Sequence, residues 1–415
     1  MWVTLAAFLA VLAASQLLRW LNLHHLARHG REVPPGFETA LDPEALGRAA
    51  AYARATARLD AVASALTAAL VLWFFFGGGL GCYDEAVRGL AGTGLGAGVL
   101  FFLGLHWAQT ALSLPFRAYR IFELEERHGF NTTTPRLWVA DLLKAEAIAT
   151  LLLAGLAGGS LGLLRWRLEH WWLWVWGLFV TATVLLQYLS PALIEPLFFR
   201  FESLRDSALA GAVRALAERA GVRVEKVLQV DASRRSRHAN AYFAGIGRVK
   251  RVVLFDTLLE RLAPPEVLAV LAHELGHWRL GHVARRVAAS AALSLGGLFT
   301  ASRLLEAASL PAVVGLTDAS VAARIVILGF LAHLASFPLT PLASALSRRQ
   351  ERAADRFASR LTGRPGDLAS ALVALSRENL ANLHPHPLYA WFHYGHPPLA
   401  ERVQRLLRVG PAPGY

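Results

Sequence analysis

One cysteine, Cys82, is present in 415 residues. A single thiol excludes an internal disulfide framework, and no partner for thiol catalysis stands beside it. Charge is also scarce. Asp, Glu, Lys and Arg make up 17% of the chain against 55% hydrophobic residues, and mean hydropathy is +0.39. Soluble domains carry about 25% charged residues, so this composition points to a polytopic membrane protein. No internal repeat and no nucleic-acid-binding motif accompany the net charge of +12. Arginines spread over loops fit positive-inside topology and anionic lipid better than a nucleic-acid partner. The alanine-, arginine- and leucine-rich usage, with one methionine, hints at a high-GC bacterium.

Seven apolar runs reach the roughly 20 residues that a bilayer crossing requires: 2–22, 61–80, 93–114, 143–164, 171–193, 287–306 and 321–344. The first lacks a basic leader and runs past the length of a signal-peptide core, so it reads as a retained helix. Arg28, Arg31, Arg48, Arg54 and Arg58 follow span one, and Arg117, Arg120, Arg127 and Arg136 follow span three. The opposite segments, 81–92, 165–170 and 307–320, read as short loops poor in basic residues. This bias places the N-terminus outside and the C-terminus inside. Trp166, Trp171, Trp172, Trp174 and Trp176 read as an aromatic belt. The pairs Gly92/Gly96 and Gly94/Gly98 suit close helix packing.

Between spans five and six lies a polar insert. A helix is expected over 204–221, then short strands at 226–230, 241–244 and 249–255, the last rich in β-branched residues. The expected division is 1–195, five membrane helices; 196–284, a peptidase insert; 285–345, spans six and seven; and 346–415, the rest of the peptidase.

The insert ends in His273, Glu274, Leu275, Gly276 and His277. A chance H-E-x-x-H is expected in roughly one chain in forty with this many histidines. Pro264, Pro265 and Glu266 form a helix-start signal upstream, so the motif lies inside a helix. Residues four apart share a helix face, and two imidazoles can meet one ion. A catalytic zinc takes three protein ligands and leaves a position for water. Glu351, just beyond span seven, either completes that set or pairs with Arg348 or Arg352 at helical spacing. Asp355, one turn on, either fixes the tautomer of a ligand histidine or is a solvated aspartate. Glu274, beside the ligands without being one, is placed to take a proton from a water at the ion.

The other histidines are less defined. His384, His386, His393 and His396 crowd near the C-terminus. His396, fixed by two following prolines, either donates to an oxyanion or is a structural loop residue. His282 falls off the ligand face. His333 lies in span seven, packed or lining a wet cavity.

These residues resemble the type I CAAX prenyl proteases, integral-membrane zinc metalloproteases of the M48 clan. The likeness extends from the zinc motif to the runs 124–131, 231–243, 251–259, 347–355 and 394–402. It implies a mainly α polytopic membrane protein. Seven helices would enclose a water-filled chamber, closed at its cytoplasmic end by a gluzincin-like α+β domain. It implies one zinc per chain held by His273, His277 and Glu351, Glu274 as base, and Asp355 as an orienting or proton-donating residue. It implies that substrate adds as a β-strand beside Asn240, Ala241 and Tyr242, in agreement with the unpaired backbone of an edge strand. The chain departs from the family pattern in two places: Gly395 replaces a serine, and Arg352-Ala353-Ala354 stands between the acids in place of the more typical aromatic-Gln-Ala.

The reading is therefore a membrane zinc endopeptidase of the bacterial inner membrane, its site facing the cytoplasm, its partners the bilayer and a peptide or protein substrate. C-terminal processing of CAAX-type proteins and quality control of membrane proteins both remain open as its task. A catalytically silent membrane scaffold is the alternative of another class.

Overall fold

A computed structural model describes residues 1–166, 169–244 and 249–408. Residues 167–168, within the expected loop 165–170, lie outside the described residues. Among the described residues, seven helical runs are long and apolar enough to cross a membrane. They are α1 (Trp2–His29), α2 (Pro43–Phe76), α4 (Leu95–Tyr119) with a π-helical extension to Glu125, α5 (Pro135–Arg165), α6 (Trp171–Leu189) with its extension to Leu197, α10 (His282–Leu305), and α11 (Val321–Ser336) continuing into α12 (Thr340–Thr362). Their starts follow local chemistry. Asp42 accepts from the Ala45 amide at 2.6 Å ahead of Pro43, and Thr134 caps α5 ahead of Pro135. These side chains satisfy the orphan amides of a first turn.

Helix α2 starts well before the expected span at 61 and stops at Phe76, where Gly77 and Gly78 end it. Its 34 residues extend about 50 Å at about 1.5 Å each, well beyond the apolar core of a bilayer. The extra N-terminal turns are anchored elsewhere: Ala45 and Leu46, with Phe37 and Leu41, are buried in the core of the sheet-containing domain. In each span, between none and 17% of the most apolar window is buried within the chain. A solid bundle buries one face of each helix, so walls this thin describe helices exposed on both sides.

The segment 81–92 is not a loop. It forms α3 (Gly79–Ala91), which buries Leu80, Asp84 and Val87 on one side. Its glycines and charges mask an i, i+4, i+7 stripe. The expected glycine packing pairs also dissolve, because Gly92 ends α3 at φ 70° and Gly94 precedes α4. Gly98 alone of the four makes a close approach, a Cβ there lying 2.5 Å from Leu161 Cδ1 on α5. Trp166 and Trp174 are exposed as a belt requires. The Trp176 indole instead donates to the Ala291 carbonyl at 2.8 Å and ties α6 to α10.

The polar insert holds a four-stranded sheet in the order β1 (Phe201–Ser203), β2 (Arg223–Val230), β4 (Val249–Phe255), β3 (Ala241–Ala244). Strand β2 pairs antiparallel with β1 and parallel with β4, and β3 is the antiparallel edge beside β4. Strand β1 is too short for a periodic signal. Helix α7 (Ser207–Arg219) precedes β2, the turn α8 (Asp256–Leu259) follows β4, and α9 (Pro264–Arg279) carries the H-E-x-x-H motif. Three further helices close the chain: α13 (Pro365–Glu378), α14 (Pro387–His393) and α15 (Leu399–Arg408). One core joins Val252 and Leu254 of the sheet to Leu271, Ala272 and Leu275 of α9, to Leu368 and Leu372 of α13, and to Val403 and Leu406 of α15.

Candidate active site

The site forms where α9 crosses α12. A Cβ on Gly276 would lie 3.1 Å from Ala354 Cα and 3.2 Å from the Ala354 carbonyl oxygen. The glycine inside the motif and the alanine between the two acids therefore let the helix backbones touch. That approach sets Glu351 against the histidines. The distances are 3.1 Å between His273 Nε2 and His277 Nε2, 3.3 Å from His273 Nε2 to Glu351 Oε2, and 3.2 Å from His277 Nε2 to Glu351 Oε1.

These separations test the fit of a metal. Bonds of about 2.1 Å in a tetrahedron put neighbouring ligand atoms about 3.4 Å apart. The two nitrogens and the carboxylate oxygens lie at nearly that spacing, and only this trio is so arranged among the described residues. Glu351 Oε2 is buried and accepts no directed hydrogen bond, although ring nitrogens surround it. Ring nitrogens and carboxylate oxygens converging at this spacing fit a cation. The electrostatics agree. Burial opposes a charge on His273, yet its bonds to Asp355 and Glu351 push its pKa up to about 9, so the pocket favours positive charge at this point.

Both histidine rings of the motif are held from behind. His273 Nδ1 lies 2.8 Å from Asp355 Oδ1. Asp355, buried, receives two bonds from Arg402, at 2.6 Å from Nη2 and 3.0 Å from Nε. His277 Nδ1 lies 3.1 Å from His282 Nδ1. His282 is off the face of α9, as its spacing implies. Gly281, at φ 67°, ends that helix and turns the chain into α10, which brings the buried His282 ring back to His277. Reading α9 as one uninterrupted helix hides this contact. Arg402 sits within the 394–402 run, but nothing local marks its buried role.

Glu351 does not pair with Arg348, whose guanidinium instead caps α14 through the carbonyls of Ala390, Trp391 and Tyr394 at 2.7–3.3 Å. Glu274 is half-buried and makes no hydrogen bond or ion pair among the described residues, which leaves its carboxylate available to solvent. The exposed ring of His396 lies at the mouth, with Nδ1 2.8 Å from Glu351 Oε2. A Cβ on Gly395 would come within 3.2 Å of Ser347 Oγ. His333 is exposed on α11 rather than packed, and His393 packs on Tyr389 and Phe392.

Strand β3 offers an open edge. The Phe255 amide donates to the Asn240 carbonyl at 3.1 Å, and Tyr242 faces Val253. Antiparallel alternation then turns the backbone of Ala241 and Phe243, not of Tyr242, to the free side. Asn240 is exposed, and its Oδ1 accepts from the Ala241 amide at 2.8 Å. The Tyr242 hydroxyl donates to Glu195 at 2.5 Å; burial and that carboxylate raise its pKa.

The loop before β3 is pinned to the membrane helices. Arg235 bridges Asp141 of α5 at 2.8 and 3.2 Å, Ser236 pairs with Asn131, and the His238 ring stacks on Phe130. His238 also approaches Glu125 at 3.5 Å and Asn379 at 3.0 Å, and Glu125 raises its pKa. The runs 124–131 and 231–243, far apart in sequence, thus form one junction.

Comparison with known proteins adds the following. Residues 22–200 match the family model described as CAAX prenyl protease N-terminal, five membrane helices, and residues 203–409 match peptidase family M48. The chain is 35% identical over 335 residues to CAAX prenyl protease 1 of Saccharomyces cerevisiae, covering 74% of this chain and 71% of that one. It is 33% identical over 317 residues to the probable CAAX prenyl protease 1 of Schizosaccharomyces pombe, covering 74% of this chain and 65% of the relative's length. It is 31% identical over 347 residues to the Homo sapiens homolog, covering 74% and 73%. The crystal structure of S. mikatae Ste24p superposes with a TM-score of 0.88 at 27% identity, covering 97% of each chain. That likeness and the thin, two-sided spans make the fold a helical membrane barrel around a chamber.

Proposed function

The chain belongs to the M48 peptidases of the CAAX prenyl protease type, and on that premise we propose that it is an integral-membrane zinc metalloendopeptidase cutting extended peptides at the α9–α12 crossing. The observation that carries this is the trio His273, His277 and Glu351, spaced as tetrahedral ligands, with the unpaired Glu274 carboxylate beside it. Zinc held there supplies Lewis acidity, lowering the pKa of a water towards about 7 and drawing charge from a carbonyl oxygen.

The protein's own groups do the rest. Glu274 takes the proton from the attacking water and returns it to the leaving amine. Asp355 and His282 hold the ligand rings by their outer nitrogens, which fixes tautomer and direction. His396, at the mouth, donates a hydrogen bond as negative charge grows on the carbonyl oxygen. The edge at Ala241 and Phe243, once the Asn240 side chain releases the Ala241 amide, pairs with the substrate backbone and excludes water around the scissile bond.

One catalytic zinc serves each chain. The arginine-bearing loops share the side of the zinc site, which supports a cytoplasm-facing site and an outside N-terminus in a bacterial plasma membrane. The substrate is the C-terminal region of CAAX-type proteins, as the names of the relatives suggest. In the test, Glu274→Gln keeps its zinc and loses cleavage of a model peptide by about 100-fold or more. Wild-type cleavage by that variant would overturn the assignment. Proteins trapped by the same variant in cells separate CAAX processing from quality control.

A further inference from the structure

A second cluster of histidines lies outside the active site, where the end of α1 meets the start of α14. His25 and His29 stand four apart on α1, the same spacing as His273 and His277 on α9. Their ring centroids are 4.5 Å apart, against 4.8 Å for the active-site pair. His386 approaches His25 edge-on at 5.4 Å. Rings bound by one ion through bonds of about 2.1 Å have centroids about 5 Å apart.

The surroundings fix part of this cluster. Glu32 Oε1 lies 2.9 Å from His29 Nδ1, a carboxylate behind an imidazole that leaves Nε2 as the free lone pair. His384 Nε2 lies 2.7 Å from the Glu32 carbonyl, and the Asn22 side chain accepts from the His386 amide at 2.9 Å. Both contacts seat the 384–386 loop against α1. All four histidines are half-buried. Among the described residues, Glu32 is the one carboxylate that meets this imidazole cluster.

We propose that His25, His29 and His386 form a second site for a divalent transition metal of the zinc type, with Glu32 orienting His29 and water completing the shell. Closing the site requires the rings to rotate, because among the described residues only the catalytic trio already holds its ligand atoms within 4.8 Å of one another. His386 gives up its 3.2 Å bond to the Leu388 amide at the start of α14. The ion would clamp the start of α14 to α1, while Arg348 already clamps its end. The helix leads directly to His396 at the catalytic mouth. The site stands on its own geometry and does not depend on the peptidase reading. Two zinc ions per chain then replace the expectation of one.

The test is metal content of the tag-free, full-length protein in lipid nanodiscs, equilibrated with buffered zinc. Wild type is expected to hold two zinc ions per chain. His25→Gln, His29→Gln and His386→Gln are each expected to hold one and to keep peptide cleavage. The Glu351→Gln variant, by contrast, keeps the second ion and loses affinity for the first. Cobalt substitution gives an independent readout, since the second site adds visible d–d bands to those of the catalytic site and the His25→Gln variant loses only the added ones. One zinc in the wild type, or a second that survives both His25→Gln and His386→Gln, would overturn the proposal. Should one variant fail to fold, the same comparison is made with the other two.

Discussion

Replacing Arg402 with methionine probes the electrostatic frame of the site. The guanidinium is 6% exposed, makes two bonds to Asp355 at 2.6 and 3.0 Å, and lies 3.9 Å from Glu351. Below about pH 9 His273 is protonated, so the metal-free pocket balances two carboxylates with one imidazolium and one guanidinium. Methionine fills similar volume but leaves one negative unit buried and uncompensated. Removing one partner of a buried ion pair costs about 3–5 kcal/mol. For a domain of this size, each kcal/mol moves the midpoint by about 2–4 °C, so the metal-free variant should melt roughly 6–20 °C below wild type. Two positive units of zinc offset the added charge. Zinc must therefore stabilise Arg402→Met more than it stabilises wild type. The assay is thermal unfolding in detergent, with chelator and with buffered zinc. Arg402→Lys keeps the charge but not the fork, and should recover part of the chelated midpoint. If Arg402→Met melts like wild type under chelator, or loses the same amount with and without zinc, the charge argument fails and Arg402 is only packing.

Three other outcomes follow from the same geometry. Gly276→Val forces α9 and α12 apart, costs about 1–3 kcal/mol, and lowers zinc affinity at least ten-fold by competition dialysis; Gly276→Ala recovers about 1 kcal/mol of helix propensity yet still loosens the metal. In the metal-free protein the folded pKa of His273, about 9, lies above its usual 6.5. Its stabilising contribution is therefore complete below about pH 6.5 and is lost as pH rises through about 9. Zinc must expel that proton, so apparent zinc affinity rises about ten-fold per pH unit and levels above about pH 9. Arg235→Met releases the loop before β3 from Asp141, raising KM several-fold in peptide cleavage while zinc content stays unchanged.

The pairing of a hollow membrane barrel with an edge strand explains why two remote runs of sequence resemble the same family. The π-helical turn at the end of α4 aims Glu125 at Tyr52 and His238. Loop 231–240 then carries that anchoring to Asn240 and β3. Membrane helices thereby set the position of the strand proposed to meet substrate.

Local chemistry made much of this legible. Uninterrupted apolar runs marked seven crossings, because a bilayer demands length and apolarity from each segment separately. The spacing of His273 and His277 named a metal, because a helix puts positions four apart on one face. Helix α3 was hidden because its glycines and charges look like a loop until its apolar side meets neighbours. Strand β1 was too short to show a period, and Tyr242 turned its backbone inward because strand register belongs to the sheet, not to the strand. Arg402 and His282 acquire their roles only where α15 and the turn at Gly281 bring them to Asp355 and His277. The sequence by itself determined the membrane class, the metal motif and the candidate ligands, since these depend on segments that carry their own signal. Tertiary structure decided what stands behind each ligand, which edge is open and how closely α9 and α12 approach. Those are contacts between segments that no local pattern records.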